Sequence, residues 1–337
     1  MPRTRLRDLS EAQLLEQLFP LFAGTTGPAG VLIGPGDDAA LLSAPSGAVV
    51  LTTDSMVRGR DWRDDWSAAA EVGRKVVAQN IADIAAMGAV PTGLLVALAA
   101  DPDTDVAWLV DLAGGIAAAA RDAGAPVVGG DLSSAGQDTV IVSITAVGDL
   151  AGRAAVRRDG ARAGDVVAVS GSLGRSGGGL QLLLTGRGHR FTDAEPGAAA
   201  DERERAAHEL CLTHRTAGRP PWEQGPVAAE AGATSMIDIS DGLVRDLGRV
   251  AGASGVRVEL DGAALTAAAR GPLSIALGAE EALRQVLSGG EEHSLAATFP
   301  RDRVPGGWQV IGRCVPGEGV LVDGHAPTVT GWDHFRA

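Results

Sequence analysis

The chain has 337 residues, 45% of them hydrophobic, which is long for a single core and points to two domains. Its 42 acidic against 29 basic residues leave a net charge of −13, which argues against nucleic acid and against an anionic membrane surface as partners. Only 3% of residues are aromatic, with no tyrosine, so packing rests on Ala, Val, Leu and Ile.

Met1 to Ser10 carries arginines with no apolar run after them, so no signal peptide is predicted, and no apolar stretch reaches the roughly 20 residues of a spanning helix. Cys211 and Cys314 form no CxxC, and reduced thiols in a cytoplasmic protein are the simplest expectation. Ser10-Glu11-Ala12-Gln13 is a capping box before Leu14, Leu15 and Leu18 and starts a short helix. Val31 to Ile33 and Ala48 to Thr53 read as strands. Ser67 to Met87 reads as a long helix stopped by Gly88 and then Pro91, with Asn80 and Asp83 on one face. A strand from Gly93 to Ala99, a helix from Val106 to Ala123 and strands at Pro126 to Gly130 and Thr139 to Val147 follow.

A stretch rich in Gly, Arg and Asp at 148–164 divides a first domain, 1–150, from a second, 151–337. The second opens with a strand at Asp165 to Ser170 and a helix at Gly177 to Leu184. The segment 186–204 is polar and aperiodic and reads as a surface excursion. Strands are expected at Thr234 to Ile239, Val256 to Leu260, Leu295 to Phe299, Trp308 to Val315 and Gly319 to Val322. Helices are expected at Leu243 to Ala251 and Glu280 to Leu287. The alternation predicts two domains of α/β (α+β) class.

Five acidic motifs stand out: Gly36-Asp37-Asp38, Thr52-Thr53-Asp54, Asn80-Ile81-Ala82-Asp83, Gly129-Gly130-Asp131 and Asp238-Ile239-Ser240-Asp241. Most end an apolar β-like run or sit beside glycine, which predicts carboxylates at the rim of a sheet. Acids gathered at one rim repel and need cations, and hard oxygen ligands suit Mg²⁺, which commonly arrives with a phosphate substrate. Taken singly, Asp37-Asp38 reads equally as a solvated turn, and Asp241 as a helix N-cap. Asp54 and Asp83 read otherwise as ion-pair partners of Arg58, Arg60, Arg74 or Lys75. The glycine-rich stretch Ser170 to Gly179 follows a strand and opens a helix, a setting for an anion, but it lacks the Gly-Lys-Ser/Thr of a P-loop and reads equally as a turn. His293 is the one histidine expected near a site, and no HExxH or His/Cys cluster speaks for zinc.

Together these motifs resemble the thiamine-monophosphate kinase family of the aminoimidazole-ribotide-synthetase-like superfamily. The resemblance is carried by Ile33 to Leu42, Thr52 to Val57, Asn80 to Ala89, Gly129 to Asp131, Asp238 to Leu243, Leu287 to Glu291 and the tail Gly331-Trp332-Asp333-His334-Phe335. It implies a two-domain fold whose N-terminal sheets pair across a homodimer, with a C-terminal α/β domain. It implies ATP-dependent phosphorylation of thiamine monophosphate with several Mg²⁺ ions. The implied metal ligands are Asp38, Thr52, Thr53, Asp54, Asp83, Asp131, Asp238 and Asp241. ATP contacts fall on Gly130, Asp131, Arg158 and Ser240, and substrate contacts on Asp61, Glu291 and Trp332. The catalytic weight is expected on Asp54, Asp83, Asp131 and Arg158.

Three positions depart from the family pattern: Asp61 stands where it usually has His, Glu292 where it has Asp, and Arg175 where it more often has a non-basic residue. The alternatives are another ATP-using enzyme of the superfamily, of the purine-pathway cyclo-ligase type, or a non-catalytic metal- and nucleotide-binding regulator.

Overall fold

The computed structural model describes residues 4–22, 30–33, 40–197, 200–329 and 331–332. Asp37, Asp38 and the tail residues Asp333, His334 and Phe335 therefore lie outside the described residues. The chain divides into two compact units, one of residues 1–84 and 90–152, the other of residues 85–89 and 153–337. A boundary at residue 150 places 85–89 in the first domain, whereas the structure places this stretch in the second unit. Gly225 packs on the backbone of Ala85, and Val156 N donates to Met87 O, which ties this short stretch to the second unit.

The first unit holds, in order, α1 (Glu11–Phe22), β1 (Val31–Ile33), β2 (Leu41–Leu42), β3 (Val50–Val57), α2 (Ala69–Ala86), β4 (Val90–Ala100), α3 (Val106–Ala123), β5 (Val127–Ser134) and β6 (Val140–Asp149). The capping box closes α1 as its sequence demands: Ser10 N donates to Gln13 Oε1, and Gln13 N donates to Ser10 Oγ. Helix α3 starts where the Asp105 side chain accepts from Ala107 N and stops at Gly124, whose φ of 64° reverses the chain. Among the described residues β3, β6, β4 and β5 form one sheet in that order, antiparallel except for the β4–β5 pair. Val142, Ile144 and Ala146 alternate inward along β6 and are fully buried. The opposite face stays open, with Leu51 63% and Leu95 39% exposed.

The second unit holds β7 (Val166–Ser170), α4 (Arg175–Leu184), α5 (Glu202–Thr216), α6 (Gln224–Ala231), β8 (Ser235–Asp238), α7 (Leu243–Ser254), β9 (Arg257–Leu260), α8 (Gly262–Ala268), α9 (Pro272–Leu277), α10 (Ala279–Ser288), β10 (Leu295–Phe299), β11 (Gln309–Val315) and β12 (Gly319–Val322). Among the described residues its sheet runs β12-β9-β11-β7-β10-β8. The central strands β7 and β10 are buried along their whole length, as their mostly apolar sequences lead one to expect, with Ser170 and Thr298 the polar residues among them. Helix α7 buries Leu243, Leu247, Val250 and Ala251 on one stripe.

Two expectations are corrected. Asp54 and Asp131 do not end their strands: β3 runs on to Val57 and β5 to Ser134. Polar residues carry the ladder past them, since Ser55 Oγ meets Ser143 Oγ at 2.6 Å across β3 and β6. The helices α5, α6, α8 and α9 were not foreseen, and α5 begins inside the segment taken for a surface excursion. Among the described residues no helix is long and apolar enough to cross a membrane.

Candidate functional site

The acidic motifs fall into two groups, one in each unit. In the first unit, strand alternation sends Thr52, Asp54 and Met56 toward α2 and Leu51, Thr53 and Ser55 to the open face. Thr52 Oγ1 donates to Asp83 Oδ2 at 2.7 Å, and Asp54 N donates to Asn80 Oδ1 at 3.0 Å. Asn80, fully buried, donates its Nδ2 amide to Val76 O at 2.8 Å, which leaves its single oxygen facing β3. Asn80 and Asp83 thus share the β3-facing side of α2. Arg58 and Arg74, two of the alternative ion-pair partners, bind Asp64 and Asp122 instead.

Thr53 lies on the other face, its hydroxyl donating to Ile144 O at 3.0 Å. Asp131 also lies there, because register aligns it with Ala97, Ser143 and Ser55. Strand β5 stands three strand spacings from β3, roughly 14 Å. The chain by itself therefore does not gather Asp131 with Asp54 and Asp83. Asp61 is drawn into its own turn: Val57 N donates to Asp61 Oδ2 at 2.6 Å.

In the second unit, β8 ends at Asp238, and the chain turns through Ser240, Asp241 and Gly242 into α7. The turn is organised by Asp246, which belongs to none of the five acidic motifs. Asp246 Oδ2 accepts from the backbone N of Ser240 (3.0 Å), Asp241 (3.0 Å) and Gly242 (3.1 Å), so an acid of the first helical turn sits in a nest of N–H groups. Asp246 is completely buried, and that burial, with the Asp238 charge added, raises its pKa to about 6 against the pull of its hydrogen bonds and Arg249. Arg249 bridges Asp246 and Asp241, and Arg245 also reaches Asp241. Trp332 N donates to Asp241 O at 2.9 Å, which brings the tail to this turn and leaves Trp332 50% exposed. Arg158 is exposed, and its guanidinium makes no hydrogen bond or ion pair among the described residues.

A second turn, 289–293, packs on the first. Glu291 N donates to Ser240 O at 2.7 Å, and His293 N to Ile239 O at 2.8 Å. His293 Nδ1 lies 3.3 Å from Asp238 Oδ2. His214 Nδ1, on α5, lies 3.2 Å from Glu291 Oε2, so His293 is not the only histidine at the expected site. Glu292 accepts from Ser172 Oγ at 2.5 Å and from Ser176 N at 2.9 Å. Burial raises the Glu292 pKa, while these two bonds, Arg175 and His293 oppose the shift. The glycine-rich stretch does cradle an anion at the start of α4, but the anion is the chain's own Glu292. Gly174 makes this possible, since its φ of 74° opens the helix and any side chain there would strike the Gln285 backbone. Arg175 turns away to bind Glu209 at 2.8 Å.

Among the described residues no three His, Cys, Asp or Glu side chains group closely enough to hold a metal ion. Thr52, Asp54 and Asp83 still offer only hard oxygen donors. That chemistry fits Mg²⁺, which keeps several waters and takes one or two carboxylates plus substrate phosphate oxygens.

Comparison with known proteins shows the family to which the chain belongs. Residues 36–150 match the family described as AIR synthase related protein, N-terminal domain. The chain is 45% identical over 334 residues to a thiamine-monophosphate kinase of Mycobacterium tuberculosis, covering 98% of this chain and 93% of that protein. The crystal structure of a thiamine-monophosphate kinase from Stenotrophomonas maltophilia superposes with a TM-score of 0.78 at 30% identity, covering 95% of this chain and 98% of that one. A solved complex of AaThiL with AMPPCP and TMP superposes with a TM-score of 0.72 at 29% identity, covering 98% of this chain and 99% of that one.

Proposed function

The chain belongs to the thiamine-monophosphate kinase family and transfers a phosphoryl group from ATP to thiamine monophosphate, and we propose that it does so by direct in-line transfer assisted by Mg²⁺. The observation that carries this mechanism is the oxygen-only grouping of Thr52, Asp54 and Asp83 on the facing sides of β3 and α2.

The acceptor is a phosphate oxygen, already anionic at neutral pH, so no general base is required. The barrier is the approach of two anions. Mg²⁺, when bound, supplies the neutralising and aligning charge for such a transfer. Several ions are proposed: Thr52, Asp54 and Asp83 are donors for one, and Thr53 and Asp131 on the other sheet face, with Asp38, Asp238 and Asp241, are proposed donors for others. Gly130, Asp131 and Ser240 are assigned to ATP. Arg158, exposed and with no guanidinium partner among the described residues, is assigned to stabilise phosphate charge. Asp61, Glu291 and Trp332 are assigned to the acceptor. The exposed Trp332 face suits the cationic thiazolium ring, and the Asp241 hydrogen bond fixes where the tail presents it. Asp61 enters this set with one carboxylate oxygen already closing its own turn.

We also infer a homodimer built on the open face of the first unit's sheet. Leu51 and Leu95 are exposed there beside the hydroxyls of Thr53 and Ser55, an apolar and hydrogen-bonding face that needs a cover. Light scattering at micromolar protein is expected to give twice the chain mass, and a monomer mass would refute the pairing.

A coupled assay for ADP tests the activity. Release that requires thiamine monophosphate is expected. A cyclo-ligase would release ADP only with a different substrate, and a non-catalytic regulator would release none.

A further inference from the structure

We propose that Glu292 is a positioning residue: its buried carboxylate pins the 289–293 turn to the start of α4 and so aims Glu291 at the acceptor. The proposal rests on the assignment of Glu291 to the acceptor made above.

Two residues of this turn hold a backbone that side chains rarely adopt: Glu291 has φ 58° and His293 has φ 53°. Such conformations persist only where the surroundings over-determine them, and they gather at functional sites. Glu292 lies between the two. Its neighbours are held from outside by Glu291 N on Ser240 O and His293 N on Ile239 O. Ser294 Oγ adds a bond to Ser172 O at 2.7 Å. Gly290 lies so close to Ser240 O that an added Cβ would sit 2.6 Å from it, which presses the turn onto the 238–242 loop.

The clamp itself is Glu292, only 5% exposed. One carboxylate oxygen takes the Ser172 hydroxyl and the other takes Ser176 N. Ser176 is in the first turn of α4, where unpaired N–H groups and the helix dipole favour an anion. A carboxylate is the one side-chain group that accepts at both oxygens, so the clamp needs acid chemistry and reach together.

The result is seen at Glu291. Its side chain is directed to His214, with 36% of it still exposed to a ligand. Were Glu292 to release, the left-handed backbone at 291 and 293 would relax, and the Glu291 carboxylate would swing from its place. The peptide planes on Ser240 and Ile239 would remain, so the loss is one of aim and not of fold.

The test is steady-state kinetics of the full chain carrying Glu292→Gln, Glu291→Gln, both together, or Ser172→Ala. Glutamine matches glutamate in size but puts an NH₂ against one of the two donors. Each glutamine variant is expected to raise KM for thiamine monophosphate by about tenfold, the size of one lost charge-assisted hydrogen bond, with KM for ATP nearly unchanged. The double variant is expected to be no worse than the worse single one, because both changes act through Glu291. Ser172→Ala, which keeps the carboxylate, is expected to give a smaller rise in the same constant, and it decides the matter should Glu292→Gln fail to fold. A normal KM in Glu292→Gln beside an impaired Glu291→Gln would overturn the proposal. So would additive losses, or equal rises in both KM values with a lowered melting temperature. An active wild type with a normal Glu291→Gln would remove the premise while leaving the kinase activity intact.

Discussion

The acids of the two units are held in different ways. In the second unit four acids have a cation, a histidine or a set of backbone N–H groups: Asp241 has Arg249 and Arg245, Asp238 has His293, Glu291 has His214, and Asp246 has three peptide groups. In the first unit Thr52 donates to Asp83, Ser133 donates to Asp131, and Asp54 N donates to Asn80, so hydroxyl and amide oxygens stand beside the motif acids. The first kind of site is self-compensated, and its shape is set by its own side chains. The second kind collects hard oxygen donors and suits a divalent ion. Composition alone does not separate the two, since both are runs of Asp and Glu near glycine.

The contrast is broken most forcefully in the first unit. Asp54→Asn and Asp83→Asn are each expected to lower turnover on the order of 100-fold or more with the fold retained, since the lost donor stabilises charge in the transition state. Near-normal turnover with unchanged circular dichroism would make these acids ordinary structural groups. In the second unit the expected losses are smaller and fall on binding. Trp332→Ala should raise KM for thiamine monophosphate by about tenfold and leave KM for ATP little changed, the size of a lost cation–π contact. A lowered melting temperature with normal KM would return the indole to a packing role.

The smallest effect is expected at the thiols. Burial raises the pKa of Cys211, and burial with the Asp165 charge raises Cys314 to about 12. Neither should react with iodoacetamide at pH 8 in the native protein, and activity should survive the treatment. Rapid inactivation at either cysteine would place reactive sulfur in the chemistry and contradict the oxygen-based site.

Local signals were legible and long-range ones were not. The capping box at Ser10 and the Gly88 stop are each written within a few residues, and α1 and α2 follow them closely. Helix α5 was hidden because its sequence is mostly polar: only Ala206, Ala207, Leu210 and Cys211 make its buried apolar stripe, beside the buried polar His214 and Arg215. Among the site residues, Asn80 and Asp83 could be placed on one helix face from spacing. Strand alternation alone turns Thr53 away from Thr52, but the sequence could not say that Asp131 shares the Thr53 face, because that depends on register with distant strands. Asp246 looked like any acid in a first helical turn, and its role exists only once the 240–242 backbone wraps around it. His214 stands far from Glu291 in the chain and carries no local motif. Glu292 was visible as a departure from the family pattern, but its partner at the start of α4 was not.

The central claim is a direct, metal-assisted transfer between two phosphates. It is tested most directly by measuring thiamine diphosphate and ADP together, from ATP and thiamine monophosphate, with Mg²⁺ and with EDTA. The account predicts equal amounts of the two products with Mg²⁺, neither in EDTA, and full recovery when Mg²⁺ is restored in excess. Equal product in metal-free buffer, or ADP without matching thiamine diphosphate, would contradict it.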